Sequence, residues 1–161
     1  MDGIVIPRTL FGGGAPPAVA ALLEEAMQAY TETERAESLL QQAKTAAPEA
    51  LPVYFSLYKF YFYKGELGQA EHAVRSALQQ AARQGGFGAD WHRLLPGSAD
   101  WSDYASPAHF YLFSLKALAF IRLRRGDDGE ATAILDKLAE LDPKDSVGAS
   151  VIRSIAEGMK S

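Results

Sequence analysis

The chain has 161 residues, of which 48% are apolar and 22% charged, and its formal net charge is −4. This length suits one domain with a substantial core, and the composition argues against a disordered chain. The negative charge gives no general attraction to nucleic acid or to an anionic membrane. Because cysteine is absent, disulfides, a thiolate nucleophile and zinc held by cysteine are excluded, and a reducing compartment such as the cytoplasm is favoured.

The amino-terminal residues have the composition of an arm rather than of a folded element. Their apolar run, residues 4–6, is too short for a secretory signal, so none is expected. Three glycines precede Pro16 and Pro17, which favours a flexible segment ending in a proline that opens the first helix. A phosphate-binding loop would need a strand before it and a lysine after it. We therefore predict a flexible arm over residues 1–15, one domain over residues 16–161 and no membrane span.

Two apolar stripes with steps of three and four residues predict a first helical hairpin over residues 17–50. The first stripe reaches Tyr30 and the second starts at Ala36, with Thr33 as a candidate cap between them. Pro48 should end the second helix. A single hairpin cannot bury its own apolar faces, so a neighbouring hairpin is expected.

The same plan recurs 34 residues later, over residues 51–82, with a turn at Gly65. The residues in register are Ala36 with Ala70, Leu40 with Val74, and Ala43 with Ala77. A third unit over residues 108–145 places Ala131, Leu135 and Leu138 after Gly126 in the same order. A last amphipathic helix, over residues 146–159, is suited to cover the open end of such a stack.

A 34-residue period of helix pairs resembles the tetratricopeptide repeat family. The second unit resembles it most, at Tyr54, Leu57, Tyr61, Gly65, Ala70 and Ala77. The third matches at Leu115, Leu118, Ala119, Gly126, Ala131 and Pro143, and the first at Leu23, Ala36, Ala43 and Pro48. Departures from the family pattern are Tyr58 for a small residue, Arg122 for a tyrosine and Ala82 for a proline. The resemblance implies an all-α, right-handed solenoid of about three helix hairpins with a C-terminal capping helix.

Residues 83–107 form an insertion between the second and third units. Glycines and prolines predict a loop here, with one turn of helix near residues 90–95. The insertion nevertheless holds six large apolar residues, which are Phe87, Trp91, Leu94, Leu95, Trp101 and Tyr104. Because flexible tethers are poor in such residues, we expect the insertion to fold back onto the helices. It would act either as a plug over the core or as a lid or dimer contact.

The sequence lacks the patterns typical of enzymes and metal sites. His72 has no second histidine one helical turn away, and no Gly-x-Ser-x-Gly elbow occurs. Asp90, His92, Asp100 and Asp103 could gather as metal ligands, but such side chains in a solvated loop usually face water. We therefore predict a protein that is not an enzyme, with no catalytic residue, no cofactor and no metal.

Acidic residues are absent from the first helices of the second and third units. None lies between Glu49 and Glu66 or between Asp103 and Asp127, although the chain has 20 acids. Helical spacing puts residues 55, 59 and 62 on one face and residues 113, 116, 120 and 124 on another. The resemblance implies that these first helices line a concave surface. The predicted partner-binding residues are Phe55, Lys59, Phe62, Tyr63, Phe113, Lys116, Phe120 and Arg124.

These residues predict an adaptor that binds a peptide or protein segment with apolar anchors and some negative charge. The alternative is that the phenylalanines are covered by the insertion or by helix packing. The family's two-carboxylate clamp is not expected, because the chain has no asparagine, and Ala21 and Glu25 stand where the first repeat's lysine and asparagine would be. Self-assembly as a homo-oligomeric scaffold remains open. Single-stranded nucleic acid is a weaker alternative, because the net charge opposes it.

Overall fold

A computed structural model of the protein describes residues 14–159. Within that range the chain is all-α, with seven α-helices, two short 3-10 helices and no strand, so the predicted class is confirmed. The helices are α1 (Pro17–Gln28), α2 (Thr33–Ala46), α3 (Leu51–Tyr63), α4 (Leu67–Gly85), α5 (Pro107–Arg124), α6 (Asp128–Leu141) and α7 (Ala149–Gly158). The predicted arm falls almost entirely on residues 1–13, which lie outside the described residues.

Consecutive helices pack as pairs, α1 with α2, α3 with α4 and α5 with α6. The first pair joins the second through α2 and α3, and the second joins the third mainly through α4, which packs along α5. The α7 helix packs on α5 and α6. The helix bounds differ from the predicted bounds at several places, since α4 continues past residue 82 to Gly85, α5 begins at Pro107 and α7 begins only at Ala149. An ion pair of 2.8 Å between Arg153 and Asp136 ties α7 to α6.

Polar caps and prolines define where several helices begin. The Ser106 hydroxyl accepts a hydrogen bond from the backbone N–H of His109 at the start of α5, and Asp127 accepts one from the N–H of Glu130 at the start of α6. The prediction of Thr33 as a cap is wrong. The α2 helix already includes Thr33, and Glu32 precedes it without a side-chain cap.

The second and third helix pairs turn in the same way. Gly65 and Gly126 have φ angles of +78° and +87°, in the left-handed region that favours glycine. The backbone N–H of Glu66 donates to the carbonyl of Tyr61, and that of Asp127 donates to Arg122, both at 2.9 Å. These bonds close the ends of α3 and α5 with the same C-terminal motif.

The small residues that recur every 34 positions are buried between the helices. Ala36, Ala43, Ala70 and Ala77 are all fully buried, and so is Ala131 in the third unit. An alanine side chain lets two helix backbones approach closely, and larger side chains would overfill such a contact.

The α5 helix lies at the centre of the core. Its apolar residues occur all round the helix, which is typical of an element covered on most sides. Phe110, Tyr111, Leu112, Leu115 and Leu118 are each fully buried. The residues on α5 that stay partly exposed after its first turn are Phe113, Lys116, Ala117, Phe120, Arg122 and Arg124.

The insertion folds back onto α5 and α6, as expected. Trp91, Leu94 and Trp101 are buried, with exposed fractions of 7%, 3% and 6%. The Phe87 ring meets the rings of Trp101 and Tyr111 edge-on, with centroids 5.1 and 5.2 Å away. Large aromatic side chains bury on the order of 150 to 250 Å² each, so the insertion is an integral part of the core.

Hydrogen bonds from side chains of both helices to backbone carbonyls of the insertion hold it in place. The Tyr111 hydroxyl of α5 donates to the carbonyl of Ala89 at 2.6 Å. The Lys137 ammonium of α6 donates to the carbonyl of Leu94 at 2.7 Å. The predicted helical turn near residues 90–95 is present as a 3-10 helix at Trp91–Arg93.

A cluster of ion pairs joins α4 to α5 and α6. Glu71 on α4 accepts hydrogen bonds from Arg75 at 3.0 Å, from Arg122 at 3.0 Å and from Arg125 at 3.1 Å. Arg122 also pairs with Asp127 at 2.6 Å. Arg122 therefore connects α5 to α4 and to the start of α6 through its guanidinium group.

The Glu71 carboxylate titrates below the ordinary glutamate range. Burial by itself would raise its pKa, but the hydrogen bonds from Arg122 and Arg75 outweigh burial and lower the pKa. The charged form is therefore stabilised by folding, and its contribution to stability is present above the unfolded-state pKa and is lost as the pH falls through the folded-state pKa.

We predict that Glu71→Gln lowers the free energy of unfolding at pH 7 by about 2 kcal/mol, because charged hydrogen bonds to three guanidinium groups are weakened. Urea unfolding at pH 7 and at lower pH measures this. The difference from the wild type should begin to shrink as the pH falls below the unfolded-state pKa of glutamate, about 4.3, and should be lost only below the lower folded-state pKa, where Glu71 is protonated in both states. The control is Glu24→Gln on the exposed side of α1, expected to change stability by less than about 0.5 kcal/mol. A difference independent of pH would contradict the assignment.

Trp101→Ala tests whether the insertion belongs to the core. We expect a loss of about 3 to 5 kcal/mol in the free energy of unfolding, because a buried indole is replaced by a cavity. Leu95→Ala in the same segment is the matched control, since that side chain is 58% exposed. Thermal unfolding of both variants measures the difference, and equal melting temperatures would mean that the insertion does not contribute to the core.

Candidate functional site

Helices α3, α5 and α7 enclose an apolar cleft, which we call the groove. It contains a cavity of about 210 Å³. The residues lining the cavity are Phe55, Tyr58, Lys59, Phe62, Phe113, Lys116, Ala117, Phe120, Ile121 and Ile152. None of them is acidic, and two are lysines.

Phenylalanine pairs face one another across the two main helices of the groove. The ring centroids of Phe55 on α3 and Phe113 on α5 are 5.6 Å apart, and those of Phe62 and Phe120 are 5.2 Å apart. Both distances lie in the range of favourable tilted aromatic contacts. The four rings thus form two neighbouring aromatic pairs that line the cavity.

Basic side chains lie over these rings. The Lys116 ammonium is 4.5 Å from the centroid of Phe113, and that of Lys59 is 5.9 Å from Phe55. The Arg124 guanidinium is 5.6 Å from Phe62. Cation–π contacts stabilise a positive charge in partly dry surroundings, so the groove combines apolar walls with fixed cations.

Burial also changes the titration of Lys116. The loss of water around its ammonium group lowers its pKa from the ordinary lysine value, and the negative charge of Asp145 opposes this only in part. A cation in such a place has lost hydration that a bound carboxylate would compensate.

The predicted partner-binding residues mostly lie in or beside the groove. Phe55, Lys59, Phe62, Phe113, Lys116 and Phe120 line the cavity. Phe55 is 6% exposed and therefore forms part of its floor. Arg124 is exposed over Phe62. Tyr63 does not line the cavity, because its side chain is 53% exposed and only touches the edge of Phe62.

The alternative is that the insertion or helix packing covers the phenylalanines, and helix packing does bury Phe55, which is 6% exposed. The insertion does not contribute to the lining of the cavity. The residues that line the cavity all come from α3, α5 and α7, whereas the insertion packs around Tyr111 and Lys137.

Sequence reasoning missed four cavity-lining residues, which are Tyr58, Ala117, Ile121 and Ile152. Tyr58 is buried, with 4% of it exposed, and its hydroxyl forms a hydrogen bond with that of Ser114 at 3.2 Å. Burial raises the pKa of Tyr58 strongly, so its hydroxyl stays neutral. Ile152 belongs to α7, and no spacing along the chain indicates that this helix meets α3 and α5.

The loop carboxylates that could have gathered as ligands instead make local hydrogen bonds. Asp90 accepts from the ring of His92 at 2.7 Å, and Asp100 accepts from the hydroxyl of Ser102 at 2.6 Å. Across the described residues, 14–159, no group of three or more histidine, cysteine, aspartate or glutamate side chains is placed to hold a metal ion. In the same range no helix combines the length and apolar character needed to cross a membrane.

The fold and the groove define an all-helical protein with an apolar cleft lined by aromatic rings and cations. No family model matches the chain, and no solved structure matches it. The chain is similar to the "Uncharacterized 19.8 kDa protein in nifW 5'region" of Azotobacter chroococcum mcd 1. The two are 32% identical over 132 residues, which covers 74% of this chain and 68% of the relative. This chain belongs to the family of that protein.

Proposed function

We propose that the protein is a non-catalytic adaptor that binds a segment of another protein in the groove. The observation that carries this proposal is the cavity between α3, α5 and α7, which has aromatic walls and two lysines and no acid among its lining residues. Aromatic residues at the centre of a cleft commonly supply most of the affinity of a protein contact. Fixed cations steer and select an acidic partner.

We also propose that the helix pairs form a right-handed solenoid of tetratricopeptide-like repeats, with α7 as the cap. The identical turns at Gly65 and Gly126 support this arrangement, as do the buried alanines with a 34-residue period. In such a solenoid, α3 and α5 are the first helices of neighbouring repeats, and they would line a concave surface. A repeat stack carries its binding face on that side.

The chemistry of the groove favours a partner segment with apolar anchors and negative charge. Four phenylalanine rings provide the apolar contact, and three cations lie over those rings. The lack of cysteine supports the cytoplasm as the place where this partner is met.

The decisive test is affinity capture from cells of the source organism with wild-type protein and with the double variant Lys59→Glu, Lys116→Glu. We expect at least one partner to be retained by the wild type and lost from the variant, because like charges in the groove repel an acidic segment. Because the family relative is named for the 5′ region of nifW, the nifW product is one purified candidate to test directly.

The control variant is Arg93→Glu, Lys144→Glu, which makes the same change in net charge at two exposed positions outside the groove. It should retain the partners of the wild type. Circular dichroism of all three proteins shows whether each is folded. Equal capture of every partner by the groove variant and the wild type would contradict the proposed function.

A second candidate is self-assembly, and it has its own observation. Val151, Ile155 and Met159 lie four residues apart on α7, with exposed fractions of 60%, 39% and 60%. Such a stripe could meet a second copy of the chain. If it does, light scattering at rising concentration should show a dimer for the wild type and a monomer for Val151→Glu, Ile155→Glu. A monomer at every concentration in both proteins excludes this candidate.

A further inference from the structure

The cavity in the groove has the size of one side chain. Its volume is about 210 Å³, and an apolar cavity of about 150 Å³ already accepts a molecule as large as benzene. Phe62, Phe113 and Phe120 form its walls, and Ile152 of α7 closes it from a third helix. A cavity bounded on three sides by different helices can enclose a single apolar group more completely than an open helix face can.

Lys116 is the charged group most closely tied to this cavity. Its side chain is partly buried among the lining residues, and its ammonium lies 4.5 Å from the Phe113 ring. No carboxylate of residues 14–159 forms an ion pair with it. Arg122 and Arg125 on the same helix differ, because both are paired with Glu71.

We infer that the cavity receives one phenylalanine- or leucine-sized side chain of a partner segment, and that Lys116 pairs with a carboxylate next to that side chain in the partner. This inference rests on the proposed function and specifies its chemistry. The apolar walls exclude water around the anchor. An ion pair formed at the edge of such a dry site is stronger than one formed in open solvent.

Charge complementarity favours a partner segment that carries an acidic residue beside its apolar anchor. The lining residues include no carboxylate, although the charge of Asp145, which lies outside the lining, also acts on Lys116. The partial burial of Lys116 among the lining residues removes water from its ammonium group, and this loss of hydration lowers its pKa. A carboxylate at hydrogen-bonding distance replaces part of that hydration, whereas a neutral amide in the same place replaces less of it.

The test uses three synthetic peptides with blocked ends. The first is acetyl-Gly-Asp-Phe-Asp-Gly-amide, which presents the anchor with an acid on either side. The second replaces both acids with asparagine, and the third replaces phenylalanine with alanine. Binding is followed by NMR through the resonances of the Lys116 side chain and of Ile121 and Ile152, which line the cavity.

We expect the first peptide to shift these resonances at millimolar concentration and to bind about tenfold more tightly than either of the other two, since each loses one of the two contacts. In Lys116→Gln the acidic and neutral peptides should bind equally. In Lys116→Arg, which keeps the charge, the preference for the acidic peptide should return. Lys144→Gln, the control, should bind the peptides as the wild type does. This cycle isolates the pairing of one lysine with the peptide's charge.

Equal binding of the acidic and neutral peptides to the wild type overturns the inference, and so does the absence of shifts at the cavity with several millimolar peptide. These results are separate from the capture experiment. If a partner is lost from the groove variant but the wild type binds the acidic and neutral peptides equally, only the pairing at Lys116 is overturned. If the wild type prefers the acidic peptide but captures no partner, the pairing at Lys116 stands and the adaptor function is contradicted.

Discussion

The burial of α5 is the constraint on which the rest of this structure depends. This helix packs against α3, α4, α6 and α7, and it has apolar residues on nearly every side. A helix of that kind must be covered all round to be stable in water. The insertion covers part of α5, where the Phe87 ring of the insertion contacts the Tyr111 ring of the helix. The strip that starts at Phe113 and ends at Arg124 is left partly uncovered, and this strip is the α5 side of the groove.

The basic residues of α5 fall into two groups with different surroundings. Arg122 and Arg125 are neutralised by Glu71, and Arg122 also by Asp127. Lys116 and Arg124 instead lie over phenylalanine rings. These four basic residues, three on α5 and Arg125 directly after it, thus serve two purposes, because the first pair is directed towards α4 and the second pair lies in or beside the groove. The first pair stabilises the fold, and the second gives the groove its positive character.

Periodicity predicted the helices well, because the apolar residues recur at helical steps and the prolines and glycines lie at the ends of elements. It also predicted six residues that line the cavity. It failed at Thr33, where two neighbouring polar residues compete for one cap position and only backbone geometry decides between them. The family resemblance, and not the helical spacing, suggested Tyr63 as a groove residue, but Tyr63 lies at the end of α3 and its side chain is 53% exposed. Periodicity also missed Ile152, because α7 reaches the groove only through packing.

The sequence by itself determined that the chain is helical and which faces of α3 and α5 are rich in rings and bases. These features follow from local spacing, which each helix expresses whatever its neighbours are. Only the tertiary structure decided that Phe55 meets Phe113, that Phe62 meets Phe120 and that α7 closes the cavity between them. Contacts between residues far apart in the chain depend on how helices pack, and side-chain shape at the packed surfaces sets that arrangement.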